Sequence, residues 1–142
     1  MTKPVTVLTY GTFDLFHIGH LRLIERLRSL GDRLVIGISS DEFNARKGKK
    51  AIIPYADRAA IVAAIKGVDV VFPEESWDQK ASDVTLYGAD IFAMGDDWEG
   101  KFDFLNEFCR VVYLPRTAGI SSTKIRGQLI PRSNPPVPAA KS

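Results

Sequence analysis

"VTVLTYGTFDLFHIGH", residues 5–20, runs from an apolar stretch into a glycine-broken turn that holds both histidines of the chain, His17 and His20. Directly after it Leu21, Ile24, Leu27 and Leu30 recur at three-residue steps with Leu23 beside them, while Arg22, Glu25, Arg26 and Arg28 fill the other face. That periodicity predicts an amphipathic helix, and Gly31 is the expected C-terminal cap. The opening of the chain therefore reads as strand, turn and helix.

The same alternation continues. Short β-rich apolar runs lie at 33–39 ("RLVIGIS"), 68–72 ("VDVVF"), 90–94 ("DIFAM") and 110–114 ("RVVYL"). Helical patterns fall at 56–66 and roughly 78–87, followed by Gly67 and Gly88. Strands that are apolar on both faces and alternate with helices predict a parallel sheet covered on both sides. Right-handed crossovers then give an α/β architecture, a Rossmann-like, doubly wound, five-stranded sheet.

The 142 residues suit one domain, expected over 1–130. The end, "PRSNPPVPAAKS" at 131–142, holds four prolines and almost no apolar content, and is expected to be an extended tail. No internal repeat is visible. Hydrophobic residues make up 45% and charged residues 25%, a globular composition. Nineteen Lys+Arg against seventeen Asp+Glu give +2, too balanced for a broad nucleic-acid surface. No run approaches membrane-spanning length and the N-terminus lacks a signal-peptide pattern, so a cytoplasmic protein is expected. Cys109, the single cysteine, cannot form an internal disulfide; beside Phe108 and "RVVYL" it reads as a small buried thiol rather than a nucleophile.

In an open parallel sheet, ligands bind at the carboxyl ends of the strands, where residues 11–20 sit. Gly11 is expected to let the chain turn, Thr12 to offer a hydroxyl and an amide to an anion, and Gly19 to let a phosphate approach the backbone. His17 and His20, three apart around a helix start, face the same side. Zinc ligation is the weaker account, because the helical zinc motif spaces its histidines by four and no further histidine or suitable cysteine completes a shell. Simple packing is weaker too, given the position after the first strand. "RKGKK" at 46–50 is, on composition, either a solvated basic loop or a local anion site.

"GTFDLFHIGH" at 11–20 with "RTAGISSTKIR" at 116–126 resembles the signature pair of the cytidylyltransferase superfamily, H-x-G-H followed by a variant of I-S-S-T-x-x-R. The agreement covers nearly all of 5–126. "MGDDWEGKFDFL" and "VVYLPRTAGISSTKI" narrow the likeness to the glycerol-3-phosphate cytidylyltransferases, which make CDP-glycerol for teichoic-acid-type polymers. The resemblance implies that CTP and sn-glycerol 3-phosphate react to CDP-glycerol and pyrophosphate by in-line attack, with positioning and charge stabilisation as the protein's part. His17 and His20 would donate to the triphosphate, with Lys47, Lys49 and Arg116 completing the catalytic set. Gly11, Thr12, Phe13, Asp14, Gly19, Lys66, Asp97, Thr117, Gly119, Ile120, Ser121, Ser122 and Thr123 are the implied nucleotide contacts. Among them Asp97 or its backbone would read cytosine, Ser121 or Ser122 would cap a helix aimed at phosphate, and Asp14 would orient the histidine helix or meet magnesium indirectly.

Arg58, Trp77 and Lys80 are the implied acceptor contacts, with a solvated helix lysine as the alternative at Lys80 and a structural turn pair as the alternative at Asp96 and Asp97. Mg2+ is expected to arrive with CTP. A homodimer is implied, with neither nucleic acid nor membrane insertion. Lys66 departs from the family, whose members tend to have arginine there. An adenylyltransferase, a cytidylyltransferase for another alcohol phosphate, and a non-catalytic nucleotide-binding module are the competing readings.

Overall fold

The computed structural model describes residues 3–115. Five strands, β1 Thr6–Gly11, β2 Arg33–Ser39, β3 Val70–Glu74, β4 Ile91–Gly95 and β5 Arg110–Leu114, form one parallel sheet in the order β3-β2-β1-β4-β5. The helices are α1 Ile18–Arg28, α2 Asp41–Arg46, α3 Tyr55–Ala63 and α4 Gln79–Leu86, with two short 3-10 turns at Asp96–Trp98 and Asp103–Glu107. The chain winds outward from β1 to β3, then returns to place β4 on the other side of β1. The strand order reverses between β1 and β4, and such a switch point opens a crevice at the carboxyl ends.

Alternation along each strand divides the core between the two faces. Val7, Leu34, Ile36, Ile38 and Ala93 pack with Ile24 and Leu27 of α1 and Val62 of α3. Leu8, Tyr10, Val35, Phe92 and Met94 pack with Val84 of α4 and with Phe102 and Leu105. Each aliphatic side chain fully buried in this way contributes about 1.5–3 kcal/mol. Gly37 of β2 makes room for the second face: a Cβ there would stand 2.5 Å from the Tyr10 ring and 2.8 Å from that of Phe72.

Aspartates placed just before three strands pin the amino ends of the sheet. Asp32 accepts from the Val5 amide at 2.8 Å, Asp69 from Leu34 at 2.8 Å and Asp90 from Thr6 at 2.9 Å. Among the described residues no helix is long and apolar enough to cross a membrane.

The expected strands at 33–39 and 110–114 match β2 and β5, and the other three begin one or two residues later than expected. Helix α2 was not expected, and α3 stops at Ala63 rather than 66. Gly88 does follow α4 in the left-handed conformation that ends helices, with φ 62°. Gly31 does not. Helix α1 is capped at Ser29, whose hydroxyl donates to the Arg26 carbonyl, and Gly31 is small because a Cβ would lie 2.7 Å from the Val5 carbonyl oxygen.

Candidate active site

The turn after β1 differs in detail from its sequence reading. Gly11 is the last strand residue, and Phe13 (φ 53°) and Leu15 (φ 51°) take the left-handed turns. Side chains at such angles cost about 1–3 kcal/mol each, which the surrounding contacts must offset. The contacts are visible: the buried Phe13 ring stacks on Phe16 and lies 5.4 Å from the His20 ring. Gly11 is needed for space, since a Cβ there would stand 2.7 Å from the Phe13 ring.

His17 is the N-cap of α1, and its Nδ1 accepts from the Gly19 amide at 3.0 Å. His20, one turn in, accepts from the His17 amide on its own Nδ1 at 3.2 Å. The pair thus forms a reciprocal capping box built from imidazoles, with ring centroids 3.9 Å apart. Burial pushes His20 down to about pKa 4, His17 adding to the depression and Asp14 opposing it; burial also lowers His17. Both rings are neutral at pH 7. Because each Nδ1 accepts a backbone proton, each neutral ring carries its own proton on Nε2, which makes Nε2–H a donor.

Asp14, 2% exposed, accepts the amides of Ile52 and Ile53 on its two oxygens, both at 2.9 Å. It ties the segment after the lysine loop to the turn after β1, besides acting on His20 through its charge. Arg58, expected to hold an acceptor phosphate, is instead 1% exposed and committed to the chain. Its guanidinium donates to the carbonyls of Ile53, Thr12 and Ser39 and to the Asp41 carboxylate, at 2.7–2.9 Å. A planar fork satisfied four times over clamps three loops together, with little left to reach a ligand. The Thr12 hydroxyl accepts from that of Ser39 at 3.0 Å.

The basic loop follows α2. Lys47 caps that helix, Gly48 turns left-handed at φ 73°, and the Lys49 amide donates to the Asn44 carbonyl. Lys47 Nζ lies 4.2 Å above the Phe43 ring and 5.5 Å from Trp77; burial lowers its pKa. Lys49 is exposed.

Lys80 is not a solvated lysine. It is 1% exposed, paired with the buried Glu74 carboxylate, and its Nζ sits 4.4 Å from the Trp77 ring and 4.7 Å from that of Tyr10. Trp77 packs near Phe43 and Trp98, at 5.7 and 5.8 Å. Together with Asp78, Lys101, Phe102 and Phe104, the side chains of Trp77, Lys80 and Trp98 line a pocket of about 440 Å³. Trp98, Phe102 and Glu74 were missed as parts of the site, although "WEGKFDF" carries an aromatic density that could have flagged two of them.

Asp97 lies in the 3-10 turn directly after β4, on the other side of the switch point from His17. Its Oδ1 folds back over Gly95, where a Cβ would come within 2.8 Å. Lys66 lies apart from the other site residues. It follows α3 at the amino end of the sheet, beside Gly67, whose α-carbon faces Arg28 at the far end of α1. Since an 11-residue helix spans about 16 Å, one chain does not bring Lys66 to the histidines. Cys109 is partly buried and burial raises its thiol pKa, which suppresses thiolate chemistry. Arg116, Thr117, Gly119, Ile120, Ser121, Ser122, Thr123 and the tail at 131–142 lie outside the described residues.

Among the described residues no three His, Cys, Asp or Glu side chains converge as a metal cage. The arrangement instead offers neutral imidazole donors and ammonium groups around a crevice, the equipment for holding phosphates rather than for covalent catalysis.

A family model described as cytidylyltransferase-like matches residues 8–128. A glycerol-3-phosphate cytidylyltransferase from Bacillus subtilis is 57% identical over 123 residues, covering 87% of this chain and 95% of that protein. Another from Staphylococcus aureus is 50% identical over 123 residues, covering 87% and 93%. A solved lipopolysaccharide core biosynthesis protein from Thermoplasma volcanium shares the fold at TM-score 0.69 and 24% identity, over 81% of this chain and 99% of that one. The chain belongs to the cytidylyltransferase-like family, in the branch of the glycerol-3-phosphate cytidylyltransferases.

Proposed function

We propose that the protein transfers the cytidylyl group of CTP to sn-glycerol 3-phosphate. A phosphate oxygen of the acceptor bonds to the α-phosphorus of CTP as the α–β bridging bond breaks, giving CDP-glycerol and pyrophosphate. The observation that carries this reading is the imidazole capping box at the switch point, in a chain at least 50% identical to enzymes of that name. Two neutral rings presenting Nε2–H donors add no net charge to the resting site, yet can answer charge growing on the phosphoryl group. Lys47 and Lys49 lower the repulsion between two incoming anions. Trp77 and Lys80 serve the acceptor and Asp97 the cytosine, while Arg116 and residues 117–123 are assigned contacts to the triphosphate by their match to the family motif. Arg58 and Asp14 hold the loops in register.

Magnesium would neutralise the triphosphate, drawing its oxygens from the nucleotide and water, since Asp14 directs both of its own at backbone amides. A homodimer belongs to the same reading and is checked by sedimentation.

Incubation with CTP, magnesium and glycerol 3-phosphate should release pyrophosphate, and a matrix of four nucleotides against several alcohol phosphates checks the specificity. Equal turnover with ATP, or none with this acceptor, refutes the proposal in favour of the rival nucleotidyltransferases or a non-catalytic module. His20→Ala should lower turnover by about two orders of magnitude or more, the scale of removing a preorganised donor.

A further inference from the structure

The turn that carries Trp77, residues 75–78, lies outside the sheet. One carboxamide reaches across it. Gln79 Oε1 accepts from the amides of Glu75 at 2.5 Å and Ser76 at 3.0 Å, while Nε2 donates to the Pro73 carbonyl at 3.3 Å and to Asp83 Oδ2 at 2.8 Å. Each polar atom of the side chain makes two bonds, its full capacity. The orientation of the amide is fixed by chemistry: a carboxylate can only accept, so the nitrogen must face Asp83. That carboxylate is in turn held by the Tyr10 hydroxyl, which donates at 2.6 Å from the core of β1.

The consequence reaches the pocket. Pro73 to Ser76 brackets Glu74, the partner of Lys80, and leads into Trp77, whose ring lies over the Lys80 ammonium. From the opposite side Arg46 donates to the Glu75 carbonyl, linking the same turn to the helix that ends in the lysine loop. We propose that Gln79 is a positioning residue for the acceptor half of the site: it sets the turn that aims Trp77 and Glu74 at Lys80, without itself touching the substrate. This inference rests on the reading of Trp77 and Lys80 as the acceptor side.

Gln79→Glu is the test. It keeps the shape and both acceptor bonds to the turn, but removes the two donors and opposes a second carboxylate to Asp83. The Michaelis constant for glycerol 3-phosphate should rise tenfold or more, that for CTP should change less than twofold, and the tryptophan emission should shift as Trp77 leaves its aromatic neighbours. Gln79→Glu combined with Asp83→Asn restores a donor facing an acceptor: the amide nitrogen introduced by the second change takes the place of Oδ2, donates one hydrogen to the carboxylate at 79 and offers the other to the Tyr10 hydroxyl oxygen, which then accepts. The double variant should recover the acceptor constant to within about threefold. An unchanged acceptor constant in the single variant, equal losses for both substrates, or failure of the double variant to recover overturns the proposal. If the single variant does not fold, the double variant alone decides. An unmutated protein inactive with CTP and glycerol 3-phosphate would sink the functional reading instead; the emission shift and its reversal would then still test whether Gln79 holds Trp77.

Discussion

At the scale of single residues the histidine pair is the clearest case of spacing turning into chemistry. His17 and His20 occupy the N-cap and third helical positions of α1, so their Nδ1 atoms meet backbone amides that a helix start leaves unpaired. The amides fix the rings and the tautomer together. A pH consequence follows from burial. The folded pKa of His20 lies near 4 against about 6.5 in the unfolded chain, so between those values the unfolded state binds more protons and stability falls as pH falls. His17 is depressed in the same direction. Urea denaturation at pH 7 and at pH 4.5 should show a larger loss for the unmutated protein than for His20→Gln, which keeps an acceptor for the His17 amide but cannot titrate; equal losses would contradict a buried neutral His20. The pair was legible because it depends on neighbours within three residues. Lys80 was not, because its burial needs Glu74, Trp77 and Tyr10, and no local pattern says that a helical lysine faces inward.

At the scale of elements, strand and helix order was legible from apolar periodicity, and connections were not. Helix α2, "DEFNAR", has six residues, fewer than two turns, too short for a period to emerge. Its place is set by Ser40, whose hydroxyl caps it at the Phe43 amide, and by Asp41, which accepts from Tyr55 at the start of α3 and pairs with Arg58. Arg58 then gathers carbonyls from positions 12, 39 and 53, a convergence that only the folded topology produces. Arg58→Lys keeps the charge but loses the fork, and a single ammonium cannot reach all four acceptors. Each carbonyl left buried and unpaired costs about 1–3 kcal/mol, so the variant should be less stable by at least that much in urea. A midpoint within experimental error of the unmutated protein would show that the clamp contributes nothing. The loss should appear with or without substrates present, because the clamp serves the loops and not the ligand.

At the scale of the whole molecule, the crevice opened at the switch point between β1 and β4 is flanked by unlike layers on the two faces of the sheet. Helices α1 and α3 lie on one side and deliver the histidines; α4 and the 3-10 turn Asp103–Glu107 lie on the other and deliver Lys80 and Phe102. The sheet both separates these two cores and joins them, since β1 and β4 contribute alternate residues to each. Their energetics should therefore be independent while their unfolding is shared. Ile24→Val, on the α1 side at 1% exposure, should cost about 0.5–1.5 kcal/mol, and Leu105→Ala, at 0% on the other, about 2–5 kcal/mol. The side chains share no partner and the sheet stands between them, so the double variant should lose the sum to within about 0.5 kcal/mol. Far-ultraviolet circular dichroism and tryptophan fluorescence should report one coincident urea transition for every variant, with Trp77 and Trp98 following even the Ile24 change on the opposite face. A separate early transition seen only by fluorescence would mean that the pocket layer folds apart from the sheet. Coupling well above about 0.5 kcal/mol would mean that strain passes through β1 and β4 from the histidine side of the crevice to the acceptor side.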